Sequence, residues 1–125
     1  EEGILRQAKE NGTGFIAFSP LAQGLLTNRY LNGIPDNSRI AKGGFLKKEA
    51  LTDEVLKKIK ALNELAIRRG QTLAEMALAW ILKDDLVTSV IIGASSVGQL
   101  ADNLKAIDNT AFSAEELKNI YQIVK

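Results

Sequence analysis

The chain contains no cysteine and no histidine. Without cysteine there are no disulfides, no thiolate nucleophile and no thiolate zinc site. Without histidine there is no Ser–His or Cys–His catalysis and no imidazole metal ligand. The side chain best suited to general base work near neutrality is also missing. Any acid–base chemistry falls to carboxylates, lysines or the two tyrosines, Tyr30 and Tyr121. Long apolar runs are absent as well. None approaches ~18 residues, so no membrane span is expected. The start, Glu1-Glu2-Gly3-Ile4-Leu5-Arg6, lacks the basic and apolar regions of a signal peptide. Charge of one sign is lacking too. Sixteen basic residues nearly balance fifteen acidic ones, interspersed, so neither a nucleic acid nor a membrane surface is an expected partner. A cytoplasmic protein fits these absences.

What is present belongs to a globular α/β protein. The 125 residues, 46% hydrophobic and 25% charged, suit one domain. Residues 1–11 read as a helix with Ile4, Leu5 and Ala8 on one face, ended by Asn11-Gly12. Gly14 to Phe18 reads as a short strand stopped by Ser19-Pro20, and its unbroken apolar run suits burial on both faces. From Ser19 to about Ala50 the pattern turns irregular and basic, with both prolines and four glycines. A helical turn between Leu25 and Tyr30 is the one element expected there. Loops of this length in compact domains tend to be functional or disordered, and a solvated loop with a few lysines is the plain alternative.

Thr52 then caps a helix running to Arg69, with Val55, Ile59, Leu62 and Ala66 at helical spacing and Gly70 as its stop. Arg68-Arg69 suits the negative end of the helix dipole. Thr72 and Glu75 form a capping box that opens a helix to about Leu82, apolar on nearly every side and expected to be deeply packed. Lys83-Asp84-Asp85 is a polar turn. Its adjacent carboxylates read as solvated rather than catalytic. Thr88 to Ile92 reads as a second buried strand. Gly93-Ala94-Ser95 turns the chain into a helix expected to run from Ser96 to about Ile107, with Leu100, Leu104 and Ile107 as its apolar face. Ser96 with Gln99 is a second capping box, and Ser113 with Glu116 a third, opening the last helix.

Two strands separated by helices are parallel neighbours joined by a crossover. Two strands make no stable sheet alone. The expectation is therefore a single partial domain over 1–125, truncated at its N-terminal side. The rest of the sheet, or another copy, is needed to cover the strand faces. Parallel strands bring Ser19-Pro20-Leu21 and Gly93-Ala94-Ser95 to the same end. In (β/α)8 barrels the loops after the last two strands commonly build a phosphate site beside a helix N-terminus.

The motif Phe15-Ile16-Ala17-Phe18-Ser19-Pro20-Leu21-Ala22-Gln23-Gly24-Leu25-Leu26-Thr27 resembles the seventh strand and following loop of aldo-keto reductases. Ala74 to Trp80 and Ser89 to Asn103 resemble that family's last barrel helix, eighth strand and nucleotide-binding turn. The likeness covers essentially the whole chain. It is greatest to the branch holding bacterial glyceraldehyde-type reductases and potassium-channel β-subunits. It implies the C-terminal portion of a (β/α)8 barrel: the last two strand–helix units plus a C-terminal helix, with 19–50 as a loop covering the cofactor.

The cofactor so implied is NADP(H), with a small carbonyl compound as the parent's substrate. Ser19, Pro20, Leu21, Ala22 and Gly24 match the loop along the pyrophosphate and ribose. Arg29 and Arg39 match positions near the phosphates. Gly93, Ser95, Gln99, Asp102 and Asn103 match the turn and helix that hold the adenosine 2′-phosphate and adenine. Many members carry a basic residue where Ser96 stands, so NADPH and NADH both stay open unless Arg29 or Arg39 supplies the charge. The family's Asp, Tyr, Lys and His tetrad comes from earlier strands, so no residue here is assigned a catalytic role. Three readings follow. The chain is part of a carbonyl reductase, or a non-catalytic nucleotide-sensing or interaction module, or a partial barrel that binds no cofactor. On the last, Ser96 and Gln99 merely cap a helix and Asn103 is a surface residue.

Overall fold

The computed structural model describes residues 2–31 and 51–125. Helix α1 (Glu2–Glu10) ends at Asn11-Gly12, where Gly12 takes a left-handed φ of +66° that glycine adopts without penalty. Strand β1 (Ile16–Phe18) pairs in parallel with β2 (Ser89–Ile91), with Ile16 opposite Ser89, Ala17 opposite Val90 and Phe18 opposite Ile91. The pairing is anchored one residue upstream. The Phe15 N–H donates to Thr88 Oγ1 at 3.0 Å, and the Thr88 N–H donates to the Phe15 carbonyl at 2.8 Å. Gly14 approaches the same threonine so closely that an added Cβ would lie 3.3 Å from Thr88 Oγ1.

Between the strands run α2 (Asp53–Arg68) and α3 (Leu73–Ile81), and after β2 come α4 (Val97–Leu104) and α5 (Ala114–Val124). Their starts follow local chemistry. Thr72 Oγ1 accepts from the Glu75 N–H while the Glu75 carboxylate accepts from the Thr72 N–H, and Ser113 and Glu116 reciprocate in the same way. Thr52 caps α2 by accepting from the Val55 N–H. The core lies where α2, α3 and α5 meet, built from Ile59, Leu62, Leu65, Ala66, Leu73, Met76 and Ile120. Leu25, Leu26 and Leu31 of the loop after β1 pack against it, so part of that loop is fastened to the helices.

Arg69, expected only to complement the helix dipole, is a hub. Its buried guanidinium pairs with Glu116 at 2.7 Å and donates to Gln71 Oε1 at 3.0 Å and to the Ala111 carbonyl at 2.9 Å. It also lies 3.7 Å from the centroid of Phe112. The Ser113 N–H bonding the Glu116 carboxylate, with Arg69 beside it, holds that carboxyl below its ordinary range.

Several expectations need correction. The strands are not buried on both faces: Ile16 is 61% exposed, Phe18 81% and Ile91 59%. Only Ala17 and Val90, on the alternate face, are partly covered, because helices shield one side of a sheet of two strands among the described residues. Helix α3 is not apolar-packed throughout. Trp80 is exposed, with the Lys83 ammonium 4.3 Å over its ring. Helix α4 stops at Leu104 and tightens into a 3₁₀ turn, Lys105–Asp108. Its phase is also reversed from the hydrophobic pattern, for Asn103 and Ala106 point inward and Leu100, Leu104 and Ile107 outward. The Ser96–Gln99 box closes in one direction only. Ser96 Oγ accepts from the Gln99 N–H, but the Gln99 carboxamide turns to Ser95. Asp84 and Asp85 are solvent-exposed, and Asp84 pairs with Lys83 at 3.0 Å. Among the described residues no helix is long and apolar enough to cross a membrane.

Candidate functional site

Because β1 and β2 are parallel and in register, the segments leaving them start side by side. After β1 the chain makes a tight, unusual bend. Ser19, Ala22 and Gln23 all take left-handed φ, at +54°, +46° and +58°, and Gly24 follows at +99°. Non-glycine residues avoid this region at a cost of ~1–2 kcal/mol each, so three of them between Ser19 and Gln23 must be held by their surroundings. The holding bonds are visible. The Ala22 N–H donates to the Ser19 carbonyl, and the Gly24 and Leu26 N–H groups both donate to the Leu21 carbonyl. Thr27 Oγ1 donates to the Gly24 carbonyl at 2.6 Å and accepts from the Arg29 N–H, capping the 3₁₀ turn Asn28–Tyr30. Tyr30, wholly buried, sits behind Gly24.

After β2 the turn Gly93 to Ser96 leads into α4. A Cβ at Gly93 would meet no atom within 4 Å, so packing does not demand a glycine there. Ser95 presents its N–H and its hydroxyl, both now donated to Gln99 Oε1, at 2.7 and 3.0 Å. One turn on, Asp102 pairs with Lys105 at 2.8 Å, and this hydrogen bond and charge raise the lysine above its ordinary range. Asn103 is 5% exposed, and its Nδ2 has no hydrogen-bond partner. A buried amide left unsatisfied costs ~1–3 kcal/mol, which a ligand acceptor would recover.

The two segments enclose one open cavity of about 720 Å3. Ser19, Pro20, Leu21, Gly24 and Arg29 line it from the first side, and Gly93, Ser95, Gln99, Asp102 and Asn103 from the second. Ala22 is exposed and does not line it, and Arg39 lies outside the described residues. Its walls are mixed: apolar Phe18, Ile91 and Ile92 at the strand ends, hydroxyls and amides above them, and the Arg29 cation at one side. Such a surface can hold a large, flexible, anionic molecule with an apolar part. Among the described residues no group of three or more carboxylates stands close enough to hold a metal ion.

The aldo/keto reductase family model matches residues 1–125. The chain belongs to that family. It is 51% identical over 126 residues to an L-glyceraldehyde 3-phosphate reductase of Escherichia coli K12, a match covering 98% of this chain and 36% of that protein. It is 42% identical over 101 residues to a probable voltage-gated potassium channel subunit beta of Arabidopsis thaliana, covering 78% of this chain and 31% of that one. A rice protein of the same description is 40% identical over 100 residues. The chain thus spans about a third of the length of the curated relatives it matches.

Some lining residues escaped the sequence reading. Thr27 closed the loop motif but was given no role, though its hydroxyl braces Gly24 and it faces the cavity. Asn28 beside it offers an exposed amide. Thr72 read only as a cap, yet it and Ala74 put the start of α3 against the same space. A cap at a helix start that faces the strand ends was the available signal.

Proposed function

We propose that this chain is the NADP(H)-binding, C-terminal part of an aldo-keto reductase that converts aldehydes or ketones to alcohols. The observation that carries this reading is convergence. Ten of the twelve residues singled out from the sequence come from two segments about 70 residues apart, and they line one cavity. The unpartnered amide of Asn103 supports it further, since a surface residue would have been hydrated.

In this reading residues 1–125 form one partial domain, the last two strand–helix units and C-terminal helix of a (β/α)8 barrel. The parallel pair and its exposed flanks support that placement. The remainder of the barrel, or another copy, covers Ile16, Phe18 and Ile91. The segment 19–50 covers the cofactor, with Arg39 as a further contact. A cytoplasmic location goes with the same reading.

When bound, the nicotinamide supplies the hydride. The residues of this chain bind and orient. The backbone N–H of Ser95 and the hydroxyls of Ser19 and Ser95 donate to phosphate oxygens, and Arg29 neutralises charge. Asn103, Gln99 and Asp102 provide donors and an acceptor to the adenosine end. Nothing among the described residues is assigned the proton transfer, so the chain alone is expected to reduce no carbonyl.

Titration with NADPH, followed by cofactor fluorescence, tests the reading. Saturable binding that Arg29→Ala weakens about fivefold supports it, as loss of one exposed charge-assisted contact requires. Absence of saturation in dispersed, folded protein would leave the third reading, a partial barrel without cofactor. The similarity to a plant protein described as a probable channel subunit supports a second reading, a non-catalytic nucleotide-sensing or interaction module. The sequence upstream of Glu1 separates the first two: an intact Asp, Tyr, Lys and His tetrad supports the enzyme.

A further inference from the structure

The Gln99 side chain does something a capping residue has no need to do. Its carboxamide oxygen accepts from both donors of Ser95, the backbone N–H at 2.7 Å and the hydroxyl at 3.0 Å. The obligate donor character of the backbone N–H fixes which end of the carboxamide faces it. An amide oxygen has two lone pairs, so the two bonds satisfy it fully. They also commit both of the Ser95 groups that would otherwise meet an anion. The arrangement stands at the start of α4, on the same cavity wall as the buried, unpartnered Nδ2 of Asn103.

We propose that the Gln99 carboxamide is a built-in competitor for the phosphate position at Ser95, and that phosphate binding proceeds by exchange of Gln99 for a phosphate oxygen. The proposal rests on the nucleotide reading above and adds a regulatory element to it. The displaced carboxamide, still one turn from Asn103, becomes free to turn toward the ligand. Affinity for phosphate is set by the difference between two sets of bonds to one serine. The site is thereby tuned toward ligands that repay the exchange with further contacts, and simple anions are held weakly.

Pyrophosphate is the discriminating probe, because it has no base or ribose for Gln99 to touch. In the 15N-labelled 125-residue chain, the Ser95 amide signal reports both binding and its location. Gln99→Ala, and Gln99→Met, which keeps the stem without the carboxamide, are expected to bind pyrophosphate about fivefold to tenfold more tightly than the unaltered chain. Adding Ser95→Ala to either variant is expected to cut that gain without removing it, because the hydroxyl is lost while the freed backbone N–H remains. Unchanged or weaker pyrophosphate binding in both variants, with spectra still dispersed, would overturn the proposal and make Gln99 a cap alone. NADPH saturating the same Ser95 signal in the unaltered chain would then show that the nucleotide reading survives. If neither ligand moves Ser95 in any folded variant, both readings fall together.

Discussion

Asn103 and Arg69 are both polar residues turned inward, and they illustrate opposite solutions to burial. Arg69 is fully provided for, by a carboxylate, an amide, a carbonyl and an aromatic face. Removing it strands Glu116 and two acceptors, so Arg69→Ala is expected to lower unfolding stability by about 3 kcal/mol in urea titration. Lysine should rescue little, because it cannot reproduce the planar fork. The Glu116 carboxyl, held down by the Ser113 N–H and by Arg69, carries a pH signature. Its folded pKa lies below its unfolded one, so the stabilisation is complete above about pH 4.3 and disappears as pH falls through the depressed value. Glu116→Gln should flatten the acid side of a stability–pH curve. Asn103 is the reverse case. Its Nδ2 is buried without a partner, so Asn103→Leu should leave thermal stability unchanged or raise it while weakening NADPH binding about tenfold. A loss of stability equal to the loss of binding would make Asn103 a structural residue.

At the scale of elements, the loop after β1 holds side-chain-bearing residues in a conformation that glycine prefers. Gln23→Gly is therefore expected to cost nothing or to stabilise by up to about 1 kcal/mol, whereas Gly24→Ala should destabilise by about 1–2 kcal/mol. The Gly24 penalty is conformational, since its added Cβ would meet Tyr30 only at ordinary contact distance, 3.8 Å. Calorimetric melting of the two variants checks both signs. How far the elements were legible follows from the range of the forces involved. The boxes at Thr72–Glu75 and Ser113–Glu116 and the Thr52 cap were readable because each closes within three or four residues. Gln99 looked the same in sequence, but its carboxamide had a second acceptable partner one residue earlier. Helix α4 was misphased because hydrophobic periodicity names an apolar side without saying what faces it. Here α4 and the following 3₁₀ turn both pack on α3, and the positions buried are Asn103 and Ala106. The Arg69–Glu116 pair, 47 residues apart in sequence, left no local trace at all.

For the whole molecule, parallel order was legible from the alternation of strands and helices. Strand burial was not, because it depends on neighbours that a local run of apolar residues cannot specify. The exposed flanks at Ile16, Phe18 and Ile91 should make the isolated chain bind a hydrophobic dye and associate as concentration rises. Ile16→Lys is expected to reduce both, as read by dye fluorescence and sedimentation. The Phe15–Thr88 pairing has one more consequence, in time rather than in space. It joins residues 73 apart, and both walls of the cavity hang from the strands that it aligns. Closing so long a loop is slow compared with forming the α2–α3 pair, whose partners are adjacent in the chain. During refolding, helical circular dichroism should therefore return first and the capacity to quench or shift NADPH fluorescence later. A ribosome that has not yet released residue 91 holds a chain with one wall of its cavity and no second.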